Sequence, residues 1–165
     1  MQQINLRKAF SMFTAIVVII LMSTVAIMVM NISGKQIQET TSQFQREQSM
    51  LLAKSYTEYA ILSVMSNDRN GTGNCLRDIE ANIKIDEGST ITVSNGNGYH
   101  VRVRISYIGN ASEVNSCALT RVFSNAVDTI KTPLNIIVDV YVDHKDPQNI
   151  NGPWITYHKR TLQKI

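Results

Sequence analysis

The stretch AFSMFTAIVVIILMSTVAIMVM, from Ala9 to Met30, decides what kind of chain this is. Its 22 residues carry no charge, and Ser11, Thr14, Ser23 and Thr24 are its only polar side chains. At about 1.5 Å per residue, a helix of this length runs about 33 Å, against a hydrocarbon core of about 30 Å. One membrane crossing is therefore expected, and a simple soluble globule is ruled out. In a chain of 165 residues, what remains suffices for one domain with a core of its own.

Immediately before this stretch stand Arg7 and Lys8. The formal net charge is +3, but with these two set aside 14 basic residues face 13 acidic ones. The basic character thus belongs largely to the leader. Positive charge on one flank of a spanning helix holds that flank in the cytoplasm, so the bulk of the chain is expected on the other side. Cys75 and Cys117 would then meet an oxidising compartment, where a structural disulfide between them is expected. A secretory signal peptide has a shorter apolar region closed by a small-x-small cleavage site, and none follows here, so the helix is expected to stay in the mature chain.

Read together, Arg7-Lys8-Ala9-Phe10-Ser11-Met12-Phe13-Thr14 gives a short basic leader, a small residue, then Phe at the head of the apolar helix. This resembles the class III signal of type IV pilins and type II secretion pseudopilins. The resemblance covers residues 1–30 by motif and the remainder by layout. It implies that a prepilin peptidase cuts between Ala9 and Phe10 on the cytoplasmic side and methylates the new amine. Two positions depart from the family pattern: Ala9 stands where Gly is usual, and Thr14 stands where the fifth mature residue is usually Glu. A small side chain suffices at the cut. The missing glutamate is characteristic of minor subunits placed at a fibre tip, so the resemblance makes Thr14 the determinant of position.

Downstream, no proline occurs before Pro133, and residues 35–66 are rich in Gln, Glu, Lys, Ala, Leu and Met. One helix is therefore expected from about Phe10 to Met65. Between residues 35 and 49 its large apolar groups are Ile37 and Phe44 alone, whereas from Met50 the face broadens to Leu51, Leu52, Ala53, Tyr56, Tyr59, Ala60, Ile61, Leu62, Val64 and Met65. A stripe that wide is expected to be buried against a sheet. Ser33-Gly34 is a weak point where a local melt or bend is expected, since Gly costs about 1 kcal/mol relative to Ala in a helix.

The run of breakers Asn67-Asp68-Arg69-Asn70-Gly71-Thr72-Gly73-Asn74 ends the helix. After it, Ser89 to Ser94, a glycine-containing turn over Asn95 to Gly98, and Tyr99 to Ile108 read as a β-hairpin. Val101, Val103, Ile105 and Tyr107 alternate with Arg102, Arg104 and Ser106, and Leu134, Ile136, Val138, Val140 and Val142 alternate with Asp139, Tyr141 and Asp143. Each such strand packs one face and wets the other. Asp146-Pro147 and Gly152-Pro153 bracket the turn to a last strand, Trp154 to about Leu162.

The expected fold class is α+β: a long N-terminal helix, membrane-spanning in its first half, packed against a C-terminal antiparallel β-sheet. This is the pilin layout. The domains are a cytoplasmic leader over 1–9, a transmembrane or fibre-core helix over 10–32, its continuation into the head over 33–66, and a periplasmic globular head over 67–165.

No catalytic constellation stands out. His100, His144 and His158 lack the helical i, i+4 pairing of a zinc protease, no Gly-x-Ser-x-Gly elbow occurs, and Gly71-x-Gly73 lacks the strand and helix that a nucleotide loop needs. An enzyme is not expected, and no cofactor. Asp139, Asp143 and Asp146 are weak calcium candidates, without EF-hand spacing, and read more simply as an exposed face and a turn. Arg102, Arg104, Lys159 and Arg160 offer a basic patch for nucleic acid, which Asp139 and Asp143 on the same face would neutralise, so DNA is not the expected partner. The expected function is that of a minor pilin or pseudopilin of a pilus or secretion pseudopilus, initiating or capping the fibre. Its partners would be other pilin subunits, the prepilin peptidase and the inner-membrane assembly platform. The chain would reside as a single-pass protein of the bacterial inner membrane with a periplasmic head, then in the fibre. The alternative is an uncleaved, anchored periplasmic adaptor or signalling domain.

Overall fold

A computed structural model describes residues 4–67, 75–84, 93, 96, 98–115, 117, 119–127, 134–146 and 149–165, with side chains from Met12 onward. The chain forms two compact units, Met1–Phe44 and Gln45–Ile165. Helix α1, Ile4–Ser66, contributes residues to both. It begins before Phe10 and runs through Ser33 and Gly34 in helical conformation, so no local melt interrupts it there. Nothing lies within 4 Å of where a Cβ on Gly34 would sit, which leaves the helix's own hydrogen bonds to carry the cost of that glycine.

In the second unit, α1 is followed by β1 (Asp78–Lys84), β2 (Gly98–Gly109), a one-turn helix α2 (Ala111–Val114), a short 3-10 turn at Leu119–Arg121, β3 (Val122–Ser124), β4 (Leu134–His144) and β5 (Ile155–Lys164). The sheet order is β1-β2-β4-β5, all antiparallel, with β3 paired in parallel to the end of β2. The long helix against a C-terminal antiparallel sheet is thus an α+β fold. The strands expected over Tyr99–Ile108, Leu134–Asp143 and Trp154–Leu162 all form, and pair as expected.

One expectation needs correcting. The strand over Ser89 to Ser94 falls, apart from Val93, outside the described residues, while the neighbour that β2 acquires on that side is β1, registered from Asp78 opposite Arg104 to Lys84 opposite Gly98. The turn ahead of β2 does carry the anticipated glycine: Gly96 has φ 75° and donates its N–H to the Val93 carbonyl at 3.3 Å. That left-handed conformation suits a residue without Cβ.

Strand alternation places the core. Val101, Val103, Ile105 and Tyr107 of β2 and Leu134, Ile136, Val138, Val140 and Val142 of β4 are all fully buried on one face. Each such side chain contributes about 1.5–3 kcal/mol relative to exposure. Against this face lies one stripe of α1: Gln45, Ser49, Ala53, Thr57, Ala60 and Val64, flanked by Leu52, Tyr56 and Ile61. The spacing of three and four is that of one helical face. The stripe is narrower than the apolar face expected from Met50 onward: Ala53, Ala60 and Val64 of that face are buried, and the polar Gln45, Ser49 and Thr57 complete it. Leu51, Leu62 and Met65 are exposed, and Tyr59, also exposed, borders a cleft with Ile79 and Ala81 of β1. Ala53 and Ala60 let the helix backbone approach closely, and the polar members bond locally: Ser49 Oγ donates to the Gln45 carbonyl at 2.9 Å and Thr57 Oγ1 to the Ala53 carbonyl at 2.6 Å. Cys75, just before β1, and Cys117 form a disulfide with their Cα atoms 4.8 Å apart. It ties the start of β1 to the segment after α2.

Candidate functional site

The first unit is a helix with an apolar surface and nothing laid over it. Every described side chain from Met12 to Thr40 is exposed, and the apolar window in this helix reaches a mean hydropathy of 2.7. By length and composition it can cross a membrane once. Within the apolar part, Ser23 Oγ donates to the Ile19 carbonyl and Thr24 Oγ1 to the Leu21 carbonyl, both at 2.8 Å. Polar groups facing hydrocarbon must be satisfied internally, and these two are. Further along, Thr40 and Thr41 close on the carbonyls of Gln36 and Ile37 in the same way. Ala9 and Phe10 have helical backbone, their side chains lying outside the described set, and Thr14 is exposed on the helix.

A second arrangement occupies the outer face of the sheet, away from α1. Register brings side chains from β2, β4 and β5 into rows across the strands: His100, Asp143 and Thr156; Arg102, Tyr141 and His158; Arg104, Asp139 and Arg160. Asp139 and Asp143 were expected on an exposed face, yet they are only 6% and 7% exposed, because longer neighbours lean over them. Each carboxylate accepts hydrogen bonds from side chains of the neighbouring strands. Arg160 donates to Asp139 through Nε to Oδ1 at 2.7 Å and through Nη2 to Oδ2 at 2.9 Å, and His158 Nε2 lies 2.8 Å from Oδ1. Burial pushes the Asp139 carboxyl up, but the hydrogen bonds and charges of Arg160 and His158 outweigh it and hold the group below the usual carboxylate range. Asp139 in turn raises the Arg160 guanidinium. At Asp143, Arg102 donates from Nε at 3.0 Å, its Nη2 lies 2.8 Å away, and Thr156 Oγ1 donates at 2.6 Å. Between the two carboxylates, Tyr141 stacks on His158 with ring centroids 4.4 Å apart and 8° between planes, and the guanidinium carbons of Arg102 and Arg104 lie 5.7 and 5.9 Å from its centroid.

This settles where the candidate residues lie. The basic patch loses Lys159, which registers opposite Val140 and so shares the core-facing side, while Arg102 and Arg160 are neutralised by Asp143 and Asp139. Asp139 and Asp143 are four residues apart on one strand, about 13 Å, so they do not converge on one ion. Arg160 and His158 bond the Asp139 oxygens, and Arg102 and Thr156 those of Asp143. Among the described residues no group of three or more His, Cys, Asp or Glu is gathered for a metal. The histidines are likewise dispersed: His100 and His158 lie on the outer face, and His144 on the inner one.

Two features escaped the sequence reading. The first is His144, only 4% exposed, its Nδ1 3.3 Å from Ser49 Oγ and its ring 5.6 Å from that of Tyr99. Burial lowers its pKa, with Asp143 and Asp146 opposing; burial likewise raises that of Tyr99. The second is the Trp154 side of the Asp143 row. Both depend on strand register, and the only available signal was the alternation of opposite charges on neighbouring strands. No family model, curated protein or solved structure matches the chain.

Proposed function

We propose that this chain is a minor pilin or pseudopilin, a structural subunit that is inserted in the inner membrane, cut between Ala9 and Phe10, and drawn into a fibre. The observation that carries the reading is the division of labour along α1: its first part presents an apolar surface in which the Ser23 and Thr24 hydroxyls close on the helix's own backbone, and its last part packs small residues on an antiparallel sheet. Such a helix can exchange lipid for the helices of neighbouring subunits without breaking a hydrogen bond. Leu51, Leu62 and Met65, exposed on the same helix within the head, supply apolar surface for further subunit contacts.

The test is N-terminal mass spectrometry of the protein from its native membrane. A chain starting at methylated Phe10 supports the pilin, and Ala9→Leu should then leave the full-length precursor in the membrane. A chain that keeps residues 1–9 is instead an anchored adaptor, and the reading fails.

A further inference from the structure

At the end of the sheet where β4 passes into β5, a cavity of about 280 Å³ is lined by His100, Arg102, Asp143, Trp154 and Thr156. That volume is at the lower end for ligand sites and suits one small molecule. Its polar wall is held rigid. Asp143 is almost fully buried, its Oδ2 is clamped by Arg102, and its Oδ1 accepts from Thr156. Arg102 is further positioned against the Tyr141 ring. Groups left to meet a ligand are the second lone pair of Asp143 Oδ1, the acceptor pairs of the Thr156 hydroxyl, the remaining guanidinium N–H groups of Arg102 and the imidazole of His100. The other wall is Trp154, 48% exposed, a large apolar surface left at the molecule's boundary. The Lys145 ammonium, tied to the Ile150 carbonyl at 2.8 Å, lies 5.0 Å from the indole centroid and fixes this loop. A single ammonium covers one face of the ring only.

Charge selects the ligand class. The Arg102 charge is already cancelled by Asp143 and the nearby Lys145 ammonium is turned to the Ile150 carbonyl, so no unpaired lysine or arginine lines the cavity to balance a phosphate or carboxylate, while four polar walls of five disfavour a purely apolar guest. A neutral molecule with many hydroxyls and one apolar face fits both walls. We infer that this cavity is a saccharide-binding site, in which a neutral sugar ring lays its C–H face on Trp154 and its hydroxyls against Asp143, Thr156, Arg102 and His100.

Trp154 is the only tryptophan in the chain, so fluorescence excited at the red edge, where tyrosine does not absorb, reports on this cavity. The full chain, in micelles of a detergent without a sugar headgroup, is titrated with glucose, galactose, N-acetylglucosamine and lactose, and with inorganic phosphate as the charged control. The expected result is a saturable change with at least one of the four sugars at a Kd of about 1 mM or tighter, and none with phosphate. By calorimetry, Trp154→Ala and Thr156→Val should each weaken that binding about tenfold or more, with the far-ultraviolet dichroism of the native chain retained. Two sites on the surface make these variants safe for folding. A saturable response to phosphate, silence with all four sugars, or undiminished affinity in folded Trp154→Ala overturns the assignment.

Discussion

The Nδ1 of His144, the last residue of β4, lies 3.3 Å from the Oγ of Ser49 on α1, a polar contact between helix and sheet inside the buried layer. Because burial lowers the folded-state pKa of His144, the unfolded chain takes up a proton there at a higher pH than the folded chain does. Stability should therefore be complete above about pH 6.5, the unfolded value, and fall as the pH drops below it until the folded group also protonates. Asp143 and Asp146 oppose the shift and narrow that window. Urea unfolding of the full chain in micelles at several pH values measures this. His144→Gln, which keeps a polar partner for Ser49 but does not titrate, should flatten the slope between about pH 7 and pH 5 relative to the wild type. An unchanged slope would remove His144 as its source.

Asp139 predicts a dependence of the same sense in a lower pH window. Its carboxyl is held below the usual range, so its contribution is present above the unfolded value of about 3.9 and is lost as the pH falls through the folded pKa. Arg160 is 61% exposed on its side chain and His158 41%, so both return to water when the carboxylate is removed. Asp139→Asn should then cost about 1–2 kcal/mol, less than breaking a fully buried ion pair, and the midpoint of urea unfolding at pH 7 reads it. A loss above about 4 kcal/mol would mean the cations are trapped instead of freed.

The disulfide offers a third test. Cys75 and Cys117 are 42 residues apart in sequence, and closing a loop of that length limits the unfolded chain by up to about 4 kcal/mol in the chain-entropy description. Reduction, or the double replacement Cys75→Ser with Cys117→Ser, should lower stability by that order. Labelling of unreduced, denatured protein should find no reactive thiol. Two labelled thiols per chain would exclude the bridge.

How much of this was legible beforehand follows from where each signal is encoded. The central strands announce themselves because Val101 to Tyr107 and Leu134 to Val142 alternate over many residues with large apolar groups, and a pattern that long admits one secondary structure. β1 alternates as strictly, Asp78-Ile79-Glu80-Ala81-Asn82-Ile83-Lys84, but its acids, Ala and Lys are poor strand formers, and the richer β-propensity of Ser89 to Ser94 drew the hairpin assignment away from it. Strand pairing corrects this through contacts that local sequence does not carry. Register decides the outer face in the same way: Lys159 and Arg160 are adjacent in sequence and lie on opposite sides of the sheet, and only the pairing of Val140 with Lys159 shows which of them can reach Asp139. On α1 the expected face was too wide: Ala53, Ala60 and Val64 of it are buried, Leu51, Leu62 and Met65 are exposed, and the polar Ser49 and Thr57 join the packed stripe instead.

The last prediction concerns Thr14 and rests on the proposed function. Processing at Phe10 would create a positive amine at the head of an apolar helix, and burying an ammonium unpaired among helices costs several kcal/mol. In the family that the leader resembles, the glutamate at the fifth mature position compensates a neighbour's amine. Thr14, exposed on the helix, brings a hydroxyl without charge. It cannot offset that amine, so each copy placed along a shaft would leave the adjacent subunit's ammonium uncompensated. At an end of the fibre no neighbour makes this demand, while another subunit's glutamate can still serve the amine of Phe10. The expected stoichiometry is therefore a few copies per fibre, located at one end. Thr14→Glu should restore the missing charge and raise incorporation along the shaft. Quantitative mass spectrometry of purified fibres, with labelling of a cysteine introduced on the exposed surface of the head, reads both. A wild-type abundance rivalling that of the major subunit, with label along the whole shaft, would rule out the end position.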